Sequence, residues 1–224
     1  MQDYSGKAAR YFGNARTEIE PLLATVAERA LEIGCGTGQT MRWLKQSGRV
    51  RESWGIELLD TAGARAREHF DHLLLGDAER LIDQAFGGER FDLILCLDVL
   101  EHMIDPWRFT ESLRRRLAPG GRLVVSLPNV RCVTVLVPLL LLGRWRYGDE
   151  GILDRTHLRF FTRESALALI GGASLKVDRC IDHRPPKSKL ARLHQLTLGL
   201  FRDFTAKQYL IAAAAAPEGD REAP

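Results

Sequence analysis

The chain has 224 residues, 45% of them hydrophobic and 27% charged, the proportions of an ordinary globular domain able to bury a sizeable core. Lys and Arg exceed Asp and Glu by only three, 32 against 29, so net charge gives no reason to expect a nucleic acid or other polyanion as partner. The four cysteines, Cys35, Cys96, Cys132 and Cys180, have no paired metal-ligand spacing; they read as reduced, mostly buried thiols of a cytoplasmic protein. Met1 to Ser5 is polar, without a secretory apolar region, and the longest apolar run, Val133 to Leu142, contains Pro138 and is too short to span a bilayer.

In chain order, Ala8 to Arg29 reads as two short amphipathic helices, the second starting near Pro21. A strand follows over Ala30 to Ile33, then a glycine turn, then a helix carrying Met41, Trp43 and Leu44 that Gly48 ends. Ser53 to Ile56 is the second strand and Thr61 to Phe70 a helix. Leu73 to Leu75, closed by Gly76-Asp77, is the third strand, and Glu79 to Phe86 a helix stopped by Gly87-Gly88. Phe91 to Cys96 is the fourth strand, Pro106 to Leu117 a helix, Pro119-Gly120-Gly121 a turn and Leu123 to Leu127 the fifth strand. Strands alternating with helices predict a mostly parallel sheet covered on both faces, and the near-continuous apolar strands agree. The rhythm then breaks over residues 128–162, an insertion without a strand of its own. A helix over Arg163 to Ile170, a strand over Ser174 to Ile181, a helix over Lys189 to Phe204 and a last strand over Gln208 to Ala214 follow. Residues 1–216 read as one domain, and the polar tail 217–224 as disordered.

The organising stretch is Leu31-Glu32-Ile33-Gly34-Cys35-Gly36-Thr37-Gly38. Three alternate glycines after a buried strand allow a ligand to approach the backbone closely. The spacing is GxGxG rather than the dinucleotide GxGxxG, and no P-loop Lys-Ser/Thr follows, which disfavours a nicotinamide cofactor and a nucleoside triphosphate. Glu57 ends the second strand, where an acid accepts bonds from ribose hydroxyls, and Asp77 ends the third, where an acid takes the exocyclic amine of adenine. With Glu32, these acids surround the crevice at the carboxyl edge of the sheet.

These segments resemble the class I S-adenosylmethionine (SAM)-dependent methyltransferases in five ordered motifs: LEIGCGTGQT, WGIELLD, LLLGDAE, FDLILCLDVLEHMIDPW and LAPGGRLVVSLPN. The resemblance covers roughly residues 27–182. It implies a Rossmann-like three-layer sandwich whose seven-stranded, mostly parallel sheet has an antiparallel last strand. It also implies that the turn from Gly34 through Cys35 and Gly36 to Gly38 packs against the methionine part of SAM. Glu57 would hold the ribose, Asp77 with Ala78 the adenine, and Leu97 would line the same pocket; Glu32 and Leu58 are expected among the cofactor-binding residues.

Asp98, Glu101 and His102 follow the fourth strand. If that segment is helical, positions i, i+3 and i+4 share one face close to the transferred methyl. The insertion holds a second polar cluster, Asp154 to Thr162, with His157 next to Phe160-Phe161 and Thr162 placed to cap a helix. This stretch resembles the H-x-R-F-F-T segment of bacterial methyltransferases acting on quinone, lipid or glycan-type acceptors, in which it returns to the active-site mouth. One of His102 and His157 is therefore expected to be the general base and the other to orient or bind the acceptor. Relatives with E-x-x-E-H and a distant His hold a divalent metal. Here Asp98 replaces the first Glu with a shorter reach, and a metal at Asp98, Glu101, His102 and His157 is not favoured.

Val133 to Leu142, followed by Gly143-Arg144-Trp145-Arg146-Tyr147, reads as a lid over the acceptor, as an ordinary core helix or as a shallow membrane contact. The basic, leucine-rich segment Arg184 to Arg202 fits a solvated face, a membrane surface or an anionic acceptor. Taken together, these features predict transfer of the SAM methyl to an oxygen of a small-molecule, lipid-linked or glycan acceptor. The alternative is a catalytically silent SAM-binding protein acting through a partner.

Overall fold

The computed structural model describes residues 13–23 and 26–215. Its strands are β1 (Ala27–Ile33), β2 (Val50–Glu57), β3 (His72–Leu75), β4 (Phe91–Leu97), β5 (Leu117–Pro128), β6 (Leu175–His183) and β7 (Gln208–Ala215). Among the described residues they form one seven-stranded sheet in the order β3-β2-β1-β4-β5-β7-β6, in which β7 runs antiparallel to both neighbours. The helices are α1 (Gln39–Gln46), α2 (Asp60–Ala66), α3 (Ala78–Gln84), α4 (Pro106–Arg116), α5 (Val133–Leu142), α6 (Arg163–Gly172), α7 (Lys189–Leu196) and α8 (Arg202–Thr205).

Alternation along the strands divides the core in two. Leu31, Ile33, Ile94, Cys96, Leu123 and Val125 point to one face, where α3, α4 and α6 cover them with Ile82, Phe109, Leu113 and Leu169. Ala30, Leu93, Leu95, Leu97 and Val124 point to the other, where Ile19 and Leu22 pack with Met41 and Leu44 of α1. Burial on both faces is why these strands read as continuous apolar runs. The order reverses between β1 and β4, which opens the crevice at their carboxyl ends where ligands bind in such sheets.

Four predicted elements differ in the structure. The amphipathic region before the glycine turn is not a helix pair: Thr17–Leu22 is a 3-10 helix with Pro21 inside it, and Ala27 to Arg29 belong to β1, paired with Val50 to Glu52. Residues 8–12 and 24–25 of that prediction lie outside the described residues. Pairing with β2 satisfies the backbone of Ala27 to Arg29, which outweighs their amphipathic pattern. The helix expected over Thr61 to Phe70 ends at Ala66 and tightens into a 3-10 turn, Arg67–His69. That turn delivers Phe70 into the core, where its ring fills the space left by Gly38 and Gly55. The helix expected over Lys189 to Phe204 breaks between α7 and α8, with Leu198 and Gly199 at φ of 48° and 77°. Pro119-Gly120-Gly121 is an irregularity within β5, whose register to β4 shifts between Phe91 and Leu93. Gly121 is required there: a Cβ would stand 2.7 Å from the Phe91 carbonyl. The predicted tail, 217–224, lies outside the described residues.

Candidate functional site

The glycine turn is built by the end of β2. The N–H groups of Gly34 and Cys35 both donate to the Ile56 carbonyl, at 2.8 and 3.2 Å, and Gly38 N–H closes the turn on the Cys35 carbonyl at 2.9 Å. All three glycines are left-handed, at φ of 62°, 57° and 76°. Gly34 also has no room for a side chain, since a Cβ would meet Val99 Cγ2 at 2.8 Å. Cys35 contributes backbone: its thiol is buried, and burial with the neighbouring Glu32 carboxylate raises its pKa far enough to keep it protonated.

Glu57 is tied to the turn. One carboxylate oxygen accepts the Gly36 N–H at 2.7 Å and the other the Leu59 N–H at 2.9 Å. Burial raises its pKa and these N–H groups pull it back. Each oxygen keeps a lone pair, so Glu57 can still accept hydrogen bonds from the two hydroxyls of a ribose diol. Leu58, beside it, is exposed. Asp77 caps α3 through Glu79 N–H at 2.9 Å, and Ala78 is the first residue of that helix. Leu97 closes β4 and is buried.

Glu32 is 4% exposed, and its Oε2 has no hydrogen-bond partner among the described residues. Burial pushes its carboxyl up to about 8, against the pull of Thr40, Arg16 and the Met41 N–H. A buried carboxylate oxygen without a partner at the carboxyl edge of the sheet fits the ammonium of an amino acid, so the residues on this edge match the ammonium, ribose and close-backbone demands of SAM.

Arg16 is the site residue that the motifs did not reveal. Its backbone N–H bonds Thr40 Oγ1 at 3.2 Å, its guanidinium pairs with Glu18 and Asp98, and Nη2 reaches Ser126 Oγ at 3.3 Å. Asp98 Oδ1 also accepts Ser126 Oγ–H at 2.6 Å and Gln208 Nε2–H at 2.7 Å. Burial alone would raise the Asp98 pKa, but Arg16 and these hydrogen bonds hold it below the usual range.

Asp98 is therefore not part of the expected helical face. At φ 55° it is left-handed, and the turn that follows is a 3-10 helix starting only at Leu100. The left-handed residue turns the Asp98 carboxylate toward β5, β7 and Arg16 while Glu101 and His102 go elsewhere.

Those two meet His157. The loop that carries His157 folds on Asp154, whose Oδ1 accepts both the Thr156 N–H at 2.9 Å and the Thr156 hydroxyl at 2.8 Å, while the His157 N–H donates to the Asp154 carbonyl at 3.0 Å. Two bonds from Leu158 and Arg159 N–H to the Glu101 carbonyl, at 2.8 and 3.1 Å, fasten the loop to the 3-10 turn that follows β4. The ring centroids of His102 and His157 are 4.7 Å apart and nearly perpendicular. His102 Nδ1 lies 3.0 Å from the Thr156 carbonyl and His157 Nδ1 2.9 Å from that of Ile152. Each carbonyl fixes an Nδ1–H tautomer and makes Nε2 the basic nitrogen. Glu101 is wholly buried, neither carboxylate oxygen has a hydrogen-bond partner among the described residues, and Oε1 is 3.9 Å from His157 Nε2. Burial, with repulsion from Asp98, raises the Glu101 pKa well above the ordinary carboxyl value. Ligand atoms of Glu101, His102 and His157 lie within 4.8 Å of one another.

The sheet order, the three left-handed glycines and the acid at the end of β2 define a class I SAM-dependent methyltransferase fold. The family model described as a methyltransferase domain matches residues 7–178, and the chain belongs to that family, whose cofactor is SAM. Among curated proteins it is 29% identical over 117 residues to the ubiquinone biosynthesis O-methyltransferase of Coxiella burnetii, covering 50% of this chain and 48% of that protein. The chain thus aligns with about half the length of this curated relative. Two solved SAM-dependent methyltransferases share the fold. One, from Mesorhizobium loti, has a TM-score of 0.63 and 20% identity over 95% of this chain and 100% of that one. The other, from Archaeoglobus fulgidus, has a TM-score of 0.64 and 16% identity over 94% and 96%.

Proposed function

We propose that the chain transfers the methyl of SAM to an oxygen of a small-molecule acceptor, with His102 as general base and His157 as its orienting neighbour. The observation that carries this is the pair of imidazoles at the carboxyl end of β4, each with Nδ1 against a backbone carbonyl and Nε2 as the basic nitrogen. His102 is the less buried of the two, so it is the ring an acceptor reaches. Bound SAM supplies an electrophilic methyl on a positively charged sulfur. Glu32 would hold the amino-acid ammonium, Glu57 the ribose hydroxyls, and the Gly34 to Gly38 backbone would let the cofactor lie against β1. His102 would take the acceptor's hydroxyl proton as the acceptor oxygen attacks, and the cofactor would supply the methyl and leave as a neutral thioether. Holding acceptor and cofactor in line supplies much of the acceleration. The O-acceptor reading draws on the likeness to the ubiquinone-pathway relative, together with the ring contacts Trp145–Phe160 and His157–Phe160, which give the approach to His157 an aromatic wall.

Methyl transfer from isotopically labelled SAM to a panel of phenolic and aliphatic alcohols tests this. Labelled product from a phenol, lost in His102→Ala while SAM still binds, is the expected result. Binding of SAM with no transfer to any acceptor would favour a SAM-binding protein that acts through a partner.

A second reading of the same cluster rests on Glu101. A buried carboxylate without hydrogen bonds beside two imidazoles fits a divalent cation, which Glu101, His102 and His157 would hold and which would lower the pKa of an acceptor hydroxyl. Asp98 is not in that set. A rise in melting temperature with manganese or zinc in the wild type and not in Glu101→Gln is the outcome this reading requires.

A further inference from the structure

The elements that flank the acceptor side leave an unusual amount of apolar surface uncovered. A ten-residue helix that is apolar on every side is normally buried. In α5 only Val135 is buried, while Leu140 and Leu141 are each 76% exposed and Leu142 58%. Beside it, the end of α7 and the link to α8 expose Leu196, Leu198 and Leu200 at 80% or more. Leu198 is held in a left-handed backbone conformation, φ 48°, which costs energy for a branched side chain and here presents a leucine outward. The two elements are neighbours, because Leu190 of α7 packs into the small cluster formed by Cys132, Val135 and Ile152 at the base of α5.

The charge on these elements is one-sided. Residues 129–148 contain three Arg and no acid, and residues 184–202 contain five Lys or Arg and no acid. The rest of the chain holds 24 basic and 29 acidic residues, so the chain's positive excess resides in these two segments. The acids at their borders are Asp149 and Glu150 after the first and Asp182 and Asp203 on either side of the second; Asp149, Asp182 and Asp203 face Arg155, Arg163 and Arg131 respectively. Apolar side chains that project fully, bordered by cations with no interspersed acid, match the interfacial layer of an anionic bilayer. Another copy of this chain would bring the same positive charge to the contact.

We propose that α5 and the α7–α8 segment together dock on an anionic lipid surface, with Leu140, Leu141, Leu196, Leu198 and Leu200 entering the headgroup layer and Arg144, Arg146, Lys187, Lys189 and Arg192 meeting the phosphates. The docked face adjoins the acceptor approach, since Trp145 touches Phe160 and the Ile152 carbonyl holds His157. Docking then brings an acceptor dissolved in the lipid to the imidazole pair. This last step rests on the methyl-transfer reading above; the docking does not.

Co-sedimentation of the full chain with phosphatidylcholine vesicles and with equimolar phosphatidylcholine–phosphatidylglycerol vesicles tests the proposal. The chain sediments with the anionic vesicles at low salt, leaves them at high salt and stays in solution with the neutral ones. The pair Leu141→Ser with Leu198→Ser and the pair Arg144→Glu with Lys189→Glu each weaken binding by at least about tenfold. SAM affinity by calorimetry stays at the wild-type value in both, which marks them as folded. Failure of the wild type to bind anionic vesicles at low salt overturns the proposal, as does equal binding to neutral vesicles or wild-type binding by both variants. A dimer that the serine pair dissociates, without vesicle binding, assigns the face to a second copy instead. Vesicle binding without methyl transfer to any acceptor leaves the docking standing and removes only the catalytic reading.

Discussion

Arg16 and Asp98, 82 positions apart, form an ion pair over the carboxyl end of β4, and Ser126 of β5 and Gln208 of β7 complete the ring around the Asp98 carboxylate. The pair joins three strands and the segment before β1 at the carboxyl edge of the parallel strands. Removing the cation leaves an enclosed carboxylate that is only partly compensated. Arg16→Ala is expected to lower stability by about 2 kcal/mol, below the value for a fully buried pair because both side chains keep some solvent contact. Urea unfolding checks it as a lower midpoint at unchanged slope. Because the Asp98 pKa is depressed, its stabilisation is present above the ordinary value of 3.8 and lost as pH falls below it. Arg16→Ala therefore also flattens the acid side of the stability profile.

Glu32 provides a pH signature of cofactor binding. Its carboxyl, raised by burial from an ordinary 4.5 to about 8, is largely protonated at neutral pH in the free protein. The stability it contributes is complete below about 4.5 and declines as pH rises through about 8. An ammonium placed against it favours the ionised form, so SAM binding at neutral pH is expected to release a proton. Calorimetry in buffers of different ionisation enthalpy measures the release directly. Glu32→Gln, which has no proton to give, should bind SAM more weakly and release none.

The turn itself can be divided into two costs. Gly34→Ala meets a left-handed backbone and the Val99 methyl at 2.8 Å, and is expected to destabilise the fold by about 2 kcal/mol or more and to weaken SAM binding. Gly34→Ala combined with Val99→Ala relieves the clash and leaves about 1 kcal/mol of backbone strain. A double-mutant cycle that shows no coupling between these positions would mean the contact is not limiting.

The two histidines should separate by their kinetics. His102→Ala is expected to lower kcat by about 100-fold or more and to remove the limb of the pH profile that a neutral imidazole produces. His157→Ala should lower kcat less while raising the KM of the acceptor, with SAM affinity unchanged in both. Equal effects on kcat at unchanged KM would point to a shared role, such as joint ligation of a cation.

Much of the cofactor half was legible because its information is local. Glycines at alternate positions after an apolar strand, and acids at the ends of the next two strands, lie within 44 positions of each other from Gly34 to Asp77. Their chemistry follows from residue type and backbone conformation alone. The misread segments all involve competition between local pattern and long-range pairing. Ala27 to Arg29 look helical and become strand because β2 supplies partners. The helix begun at Asp60 gives way to a 3-10 turn because Phe70 must fill the space beside Gly38. Asp98 looks like a member of the i, i+3, i+4 face and instead faces Arg16, because a left-handed residue precedes the 3-10 turn.

The sequence by itself determined the parallel sheet, the glycine turn and the acids at its edge, through hydrophobic period, glycine spacing and strand-end position. Only the tertiary structure decided which side chains share a site. It placed Arg16 and Gln208 on Asp98, and it brought Glu101, His102 and His157 within 4.8 Å of one another. The reason is that these contacts span 54 to 110 positions and depend on strand order and on the loop that Asp154 folds. No local period encodes such distances.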